Sequence, residues 1–172
     1  MQLPPMRRFK QLLGEETCRE VLGRASNAVL GMNGTDGYPY AVPLSFAYVP
    51  PAPAEPALGC VYFHCAPAGH KLDCLRADCR ASMTVVDEDL IVQDEFTSYF
   101  RSVMAFGRVA EVDDPAEADR ALRLLIAKYS PDVAAEAVEH EMGGCARRAS
   151  ILRLDIEALS GKEARELVEK RS

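Results

Sequence analysis

The 172-residue sequence predicts an α+β fold that is mainly β, a small antiparallel barrel with helical excursions. Three observations predict it. The segment YPYAVPLSFAY, Tyr38 to Tyr48, alternates large apolar or aromatic side chains with small or polar ones, the period-2 signature of a half-buried strand. About six strand-like runs of this kind are separated by turn signals. Helical periodicity interrupts them at three places only, not after every strand as a parallel fold requires.

Element by element, GEETCREVLGRAS places Cys18, Val21, Leu22 and Ala25 at helical spacing with acids in the first turn. NAVLGMN follows as a strand, and NGTDG supplies a tight reversal, so that Tyr38–Tyr48 is the second arm of a hairpin. VPPAPAEPAL is too rich in proline for regular structure and reads as an exposed, stiff loop. GCVYFHCA is a short apolar strand. GHKLDCLRADC changes period and forms a short helix with Leu72, Leu75 and Cys79 on one face. ASMTVVDED and SYFRSVMAFGRVAEV return to strand, with Gly107 as a bulge or point of close approach. DDPAEADRALRLLIAKYSP has an Asp cap, Pro115 in its first turn and an apolar face of Ala121, Leu122, Leu125, Ile126 and Tyr129. A second helix runs from about Asp132 to Glu141 and closes on Gly143 and Gly144. ASILRLDIEAL is the last strand, and GKEARELVEKR a terminal, mainly solvated helix.

Composition narrows the function. Residues 1–172 are expected to form one domain, with about 1–8 and 163–172 peripheral. Twenty Lys and Arg face 26 Asp and Glu, a net charge of −6, with the basic residues scattered, so nucleic acid is not an expected partner. MQLPPMRRFK has no signal-peptide core, and no run approaches the roughly 20 apolar residues of a membrane span. A cytoplasmic protein is expected. Without a secretory signal the six cysteines read as small core residues rather than a disulfide framework. His64, Cys65, His70, Cys74 and Cys79 lack the paired CxxC spacing of a zinc knuckle, and no metal site is expected.

Two stretches could carry chemistry. In FHCAPAGHKLDCL a strand ends near Cys65 and a helix begins about Gly69, where free N–H groups and the charge of Lys71 favour an anion; solvated His70 and Lys71 are the plain alternative. The longer glycine loop and following Ser or Thr of a Walker motif are absent. In the opening strand, Pro39 and Pro43 share parity, so both missing N–H donors fall on one edge. That edge either faces a ligand with its own donors and acceptors or is a sheet edge protected against aggregation.

The ordered set DGYPYAVPLSFAY, VYFHCAPAGHKLDCLRAD, FRSVMAFGRVAEVDD and ILRLDIEALSGK resembles the pyridoxamine 5′-phosphate oxidase-related flavoproteins, and most closely their nitroimidazole-resistance (Nim-like) branch, over roughly residues 6 to 162. The resemblance implies a split β-barrel homodimer with one FMN at each of two sites shared between subunits. It implies that Val42, Pro43, Leu44 and Ser45 line the isoalloxazine ring, that His64, Cys65 and Ala66 lie beside the ribityl chain and phosphate, and that Lys71 binds the phosphate. Ser102 would reach FMN from the neighbouring subunit, and His70 would stand beside the flavin as the candidate catalytic group. The chain lacks the arginine- and tryptophan-rich ending with which the oxidases proper hold their substrate, so vitamin B6 oxidation is not the expected reaction.

The expected function is therefore an FMN-dependent oxidoreductase reducing a nitroaromatic or similar electrophilic small molecule, with His70 as proton donor. One lysine at one helix terminus provides for a single terminal phosphate, which favours FMN over FAD. The alternatives are a flavin store or sensor without turnover, and a haem-binding barrel with His64, His70 or His140 as ligand.

Overall fold

The computed structural model describes residues 1–52, 57–144 and 148–171. Its strands are β1 (Leu12–Leu13), β2 (Ala28–Asn33), β3 (Pro39–Leu44), β4 (Ala47–Val49), β5 (Cys60–Cys65), β6 (Arg80–Val92), β7 (Thr97–Glu111) and β8 (Ser150–Glu163). Its helices are α1 (Glu15–Arg24), α2 (His70–Ala77), α3 (Pro115–Tyr129), α4 (Ala135–Gly143) and α5 (Arg165–Arg171). The strands form one sheet in the order β3-β2-β6-β7-β8-β5-β4, with β1 on β8, and every pairing is antiparallel.

The two end strands of that path, β3 and β4, are consecutive in the chain and separated only by Ser45 and Phe46. So short a link forces the sheet to curl until its ends meet, which is the closure of a barrel. It also corrects the expectation of a single strand from Tyr38 to Tyr48. The alternation continues through the corner, but the chain changes partner there, leaving β2 and joining β5.

The corner is held from a distance. Phe46 is fully buried, its N–H donates to the Tyr129 hydroxyl at 2.8 Å, and that hydroxyl donates to the carbonyls of Ser26 at 2.8 Å and Phe46 at 3.1 Å. The Lys128 ammonium lies 3.8 Å from the centre of the Phe46 ring, and burial pushes its pKa down. Burying such a ring contributes on the order of 2–3 kcal/mol. Phe46 packs into the barrel core with Leu22 from α1, Leu30 from β2, Met83 from β6, Phe63 from β5 and Leu154 from β8.

Local signals account for the helices. Asp114 caps α3, accepting the N–H groups of Ala116 and Glu117, and Pro115 occupies the first turn as expected. Ala121 of α3 is buried against Cys60, Tyr62 and Ile151, Leu125 is buried as well, and Glu117 accepts hydrogen bonds from Tyr62 (2.6 Å) and Arg153 (3.0 Å). In α2 the buried face is Leu72, Cys74 and Leu75; the helix ends at Ala77, so Cys79 lies beyond it, beside Arg108. The last strand runs further than its pattern suggests. Gly161–Glu163, expected to begin the terminal helix, continue β8, and Glu163 is buried in an ion pair with Arg101. Part of the proline-rich loop, residues 53–56, and Cys145 lie outside the described residues.

Candidate functional site

The hairpin register decides which edge of β3 the prolines occupy. The Gly34 N–H donates to the Tyr38 carbonyl, and the same register pairs Met32 with Tyr40, Leu30 with Val42 and Ala28 with Leu44. Hydrogen-bonded pairs alternate with non-bonded ones in an antiparallel ladder, so the even-numbered residues of β3 bond to β2. Pro39, Ala41 and Pro43 therefore turn their nitrogens and carbonyls outward to the free edge of the strand. The missing donors cost the sheet nothing there.

At the end of β3, three adjoining cavities make one continuous groove. The middle one, about 480 Å³, is lined by Leu44, His64, Cys65, Ala66, Lys71 and Arg148. A smaller one of about 170 Å³ shares Cys65, Ala66 and Lys71 and adds Tyr40, Gly69 and His70. The third, about 450 Å³, shares His64 and Ala149 with the first and is walled by Ser45 and by Leu122, Ile126 and Tyr129 of α3. Continuing the β4–β5 register from Ala47↔Tyr62 sets Ser45 opposite His64, which brings the barrel corner into the groove.

Each charged group has a structural reason to be there. Gly69, at φ +140°, turns the chain from β5 into α2, a conformation that favours glycine. No side chain caps that first turn, and half-buried Lys71 stands in it. Burial pushes the Cys65 thiol pKa up, opposed by the nearby Lys71 charge. His70 is engaged locally: its Nε2 lies 3.5 Å from the buried Cys74 Sγ, and its ring meets Tyr40 edge-on at 4.8 Å between centroids.

Of the residues expected at the site, Leu44, Ser45, His64, Cys65, Ala66, His70 and Lys71 line this groove. Val42 packs inward against the core, and Pro43 is exposed on the free edge beside it. Ser102 is elsewhere. It sits on β7 between Val86 of β6 and Lys162 of β8, on the outer face of the sheet. Arg148 was missed by sequence reasoning. Its place follows from the pairing of Cys65 with Ser150, which carries the residues just before β8 alongside those just after β5. The groove thus has Lys71 and Arg148 in its middle cavity, Lys71 reaching also into the small one beside His70, and at the α3 end an apolar wall with hydroxyls, the His64 imidazole and the Glu141 carboxylate.

Among the described residues no group of three or more His, Cys, Asp or Glu is gathered as a metal site, and no helix is long and apolar enough to cross a membrane.

The fold has solved counterparts. A candidate 5-nitroimidazole antibiotic resistance protein from Bacteroides thetaiotaomicron is 21% identical with a TM-score of 0.68, over 88% of this chain and 86% of that one. An FAD-binding protein from Mesorhizobium loti is 26% identical (TM-score 0.61; 89% and 96% covered). A flavocytochrome from Azotobacter vinelandii is 23% identical (TM-score 0.68; 93% and 72% covered). No curated protein matches the sequence. The family model described as pyridoxamine 5′-phosphate oxidase matches residues 14–163, the span from α1 to the end of β8 that contains every strand except β1. By that match, and by the split-barrel architecture that agrees with it, the chain belongs to the pyridoxamine 5′-phosphate oxidase family.

Proposed function

We propose that the protein binds FMN in this groove and is an oxidoreductase that reduces a nitroaromatic or similarly electrophilic small molecule. The observation that carries the reading is the polarity of the groove: Lys71 and Arg148 gathered beside Leu44 in the middle cavity, and Ser45 with the apolar α3 wall in the next. That sequence of environments fits a ligand with one terminal phosphate, a polar chain and a flat ring. A single pair of cations serves one phosphate, which favours FMN over FAD. Bound there, the flavin supplies the electron chemistry.

The chain's own residues do the rest. Lys71 and Arg148 balance the phosphate charge. The outward carbonyl of Pro43, next to Leu44 and Ser45, offers a hydrogen bond to a ring edge. Leu122, Ile126 and Tyr129 exclude water from the far end of the groove. His70 is the proton donor to the reduced substrate, and the Cys74 and Tyr40 contacts fix its ring. His64, which lines both larger cavities, is the comparison residue for that assignment.

Two copies are expected to complete the site. Val29, Val86 and Met104 are 44, 57 and 39% exposed on the outer face of central strands, beside Ser102, where an isolated barrel would carry polar groups. Packing that face against a second copy covers the apolar patch and carries Ser102 toward the neighbour's flavin. Light scattering should give a dimer; a monomer that retains FMN tightly removes the shared site.

An absorption spectrum followed by anaerobic titration tests the function. Flavin bands are expected, and the reduced protein should reoxidise stoichiometrically on adding a nitroaromatic. His70→Ala should slow that step at least about tenfold with FMN still bound. A flavin that does not reoxidise marks a storage or sensing protein, and a Soret band marks haem. Slowing by His64→Ala but not by His70→Ala transfers the proton donor's role to His64.

A further inference from the structure

A second cavity, about 590 Å³, shares no lining residue with the groove. It opens between the turn Phe9–Gln11, the start of β7 at Thr97, Ser98 and Phe100, and the junction of β8 with α5. Arg7, Arg8 and Lys10 line it together. In a chain of net charge −6 that grouping stands out by its lack of counter-charge. Every arginine from Arg19 to Arg108 is ion-paired. Arg7, Arg8 and Lys10 make no ion pair among the described residues, and the lining carboxylate, Glu166, is engaged by Arg165 at 3.3 Å.

All three are exposed, and an anion among them removes the like-charge repulsion that water and salt leave unscreened. The cavity has further parts suited to one. Gln11 lines it at 7% exposure, and its side-chain oxygen is buried without a hydrogen-bond partner. That oxygen is out of reach of the cavity, so the group of Gln11 able to meet an oxyanion is its NH2 as it stands. Thr97 and Ser98 add hydroxyls. Phe9, 70% exposed, and Phe100 add aromatic surface, with the Lys162 ammonium 5.2 Å from the Phe100 ring centre.

We infer that this cavity is a second ligand site, for a small phosphorylated molecule with a planar ring: Arg7, Arg8 and Lys10 take the phosphate, Gln11 closes the depth of the site, and Phe9 and Phe100 contact the ring. The site shares no residue with the groove of its own chain, while Phe100 stands two residues from Ser102 on the same face of β7.

Calorimetric titration of the full chain with ADP, pyrophosphate and adenosine tests it, on the wild type, Lys71→Ala, Phe9→Ala and the triple variant Arg7→Gln/Arg8→Gln/Lys10→Gln. ADP should bind one saturable site more tightly than either pyrophosphate or adenosine. Lys71→Ala should leave that affinity unchanged, Phe9→Ala should lower it several-fold, and the triple variant should lower it at least about tenfold while unfolding at the wild-type temperature. Three results overturn the site: no saturable ADP binding at millimolar concentration, equal affinity in the triple variant, or loss through Lys71→Ala instead. Pyrophosphate binding as tightly as ADP overturns the ring contact.

Discussion

Lys71→Ala should weaken FMN binding by about 1.5–3 kcal/mol, roughly ten- to a hundredfold, and leave riboflavin affinity unchanged. The expectation rests on a charge-assisted contact to a group that FMN has and riboflavin lacks. Arg148 lines the same cavity, so binding should fall without vanishing. The fold should survive the change. The helix that carries Lys71 is anchored by Leu72, Cys74 and Leu75, all buried, and none of them depends on the lysine. Titrating the apoprotein with both ligands and following flavin fluorescence gives the two affinities directly. Equal losses for FMN and riboflavin would take Lys71 away from the phosphate, and the groove would then be read in another orientation or for another ligand.

What the sequence discloses here follows the range of the interactions. The α1 periodicity, the Asp114–Pro115 start of α3 and the NGTDG reversal are fixed by neighbours within a few residues, and each is where its pattern predicts. The corner at Ser45–Phe46 is invisible because both halves of Tyr38–Tyr48 keep the same alternation; the break is set by Tyr129, 83 residues away in sequence from Phe46. The extension of β8 is hidden for a related reason. GKE reads as polar and helical, yet Glu163 is buried because Arg101 on the neighbouring strand pairs with it. The two-residue β1 is too short to leave a period.

The same logic divides the candidate site. His64 to Lys71 is legible as one strand-to-helix passage, since all of it is contiguous. Arg148 is not, because RRAS looks like any solvated basic segment, and only the pairing of β8 with β5 brings it into one cavity with Ala66 and Lys71. Ser102 illustrates the opposite limit. Its strand was legible, but one chain leaves it on the outer face, away from the groove, so its proposed role depends on a second copy.

Gly107→Ala should destabilise the barrel by about 3 kcal/mol, at the upper end of what an added core methyl group costs. Gly107 marks the shift of register between β7 and β8, which comes between Phe106 and Gly107. A Cβ built there collides with the Asp155 carbonyl oxygen and lies 2.9 Å from its carbonyl carbon and 3.1 Å from Leu154 Cδ1. The first two are backbone atoms of a paired strand, so the contact is relieved only if β7 and β8 separate. These strands are central in the sheet order, and Phe106 and Ser102, on the outer face of β7, would move with them. Gly31→Ala is the matched control on β2. Its Cβ meets Ser82 Oγ at 3.3 Å, a side-chain atom that can rotate away, and a change below about 1 kcal/mol is expected. Urea unfolding with unchanged m-values compares the two. If Gly107→Ala proves no more costly than Gly31→Ala, the β7–β8 ladder yields easily at this point, and close backbone approach is not what requires glycine at 107.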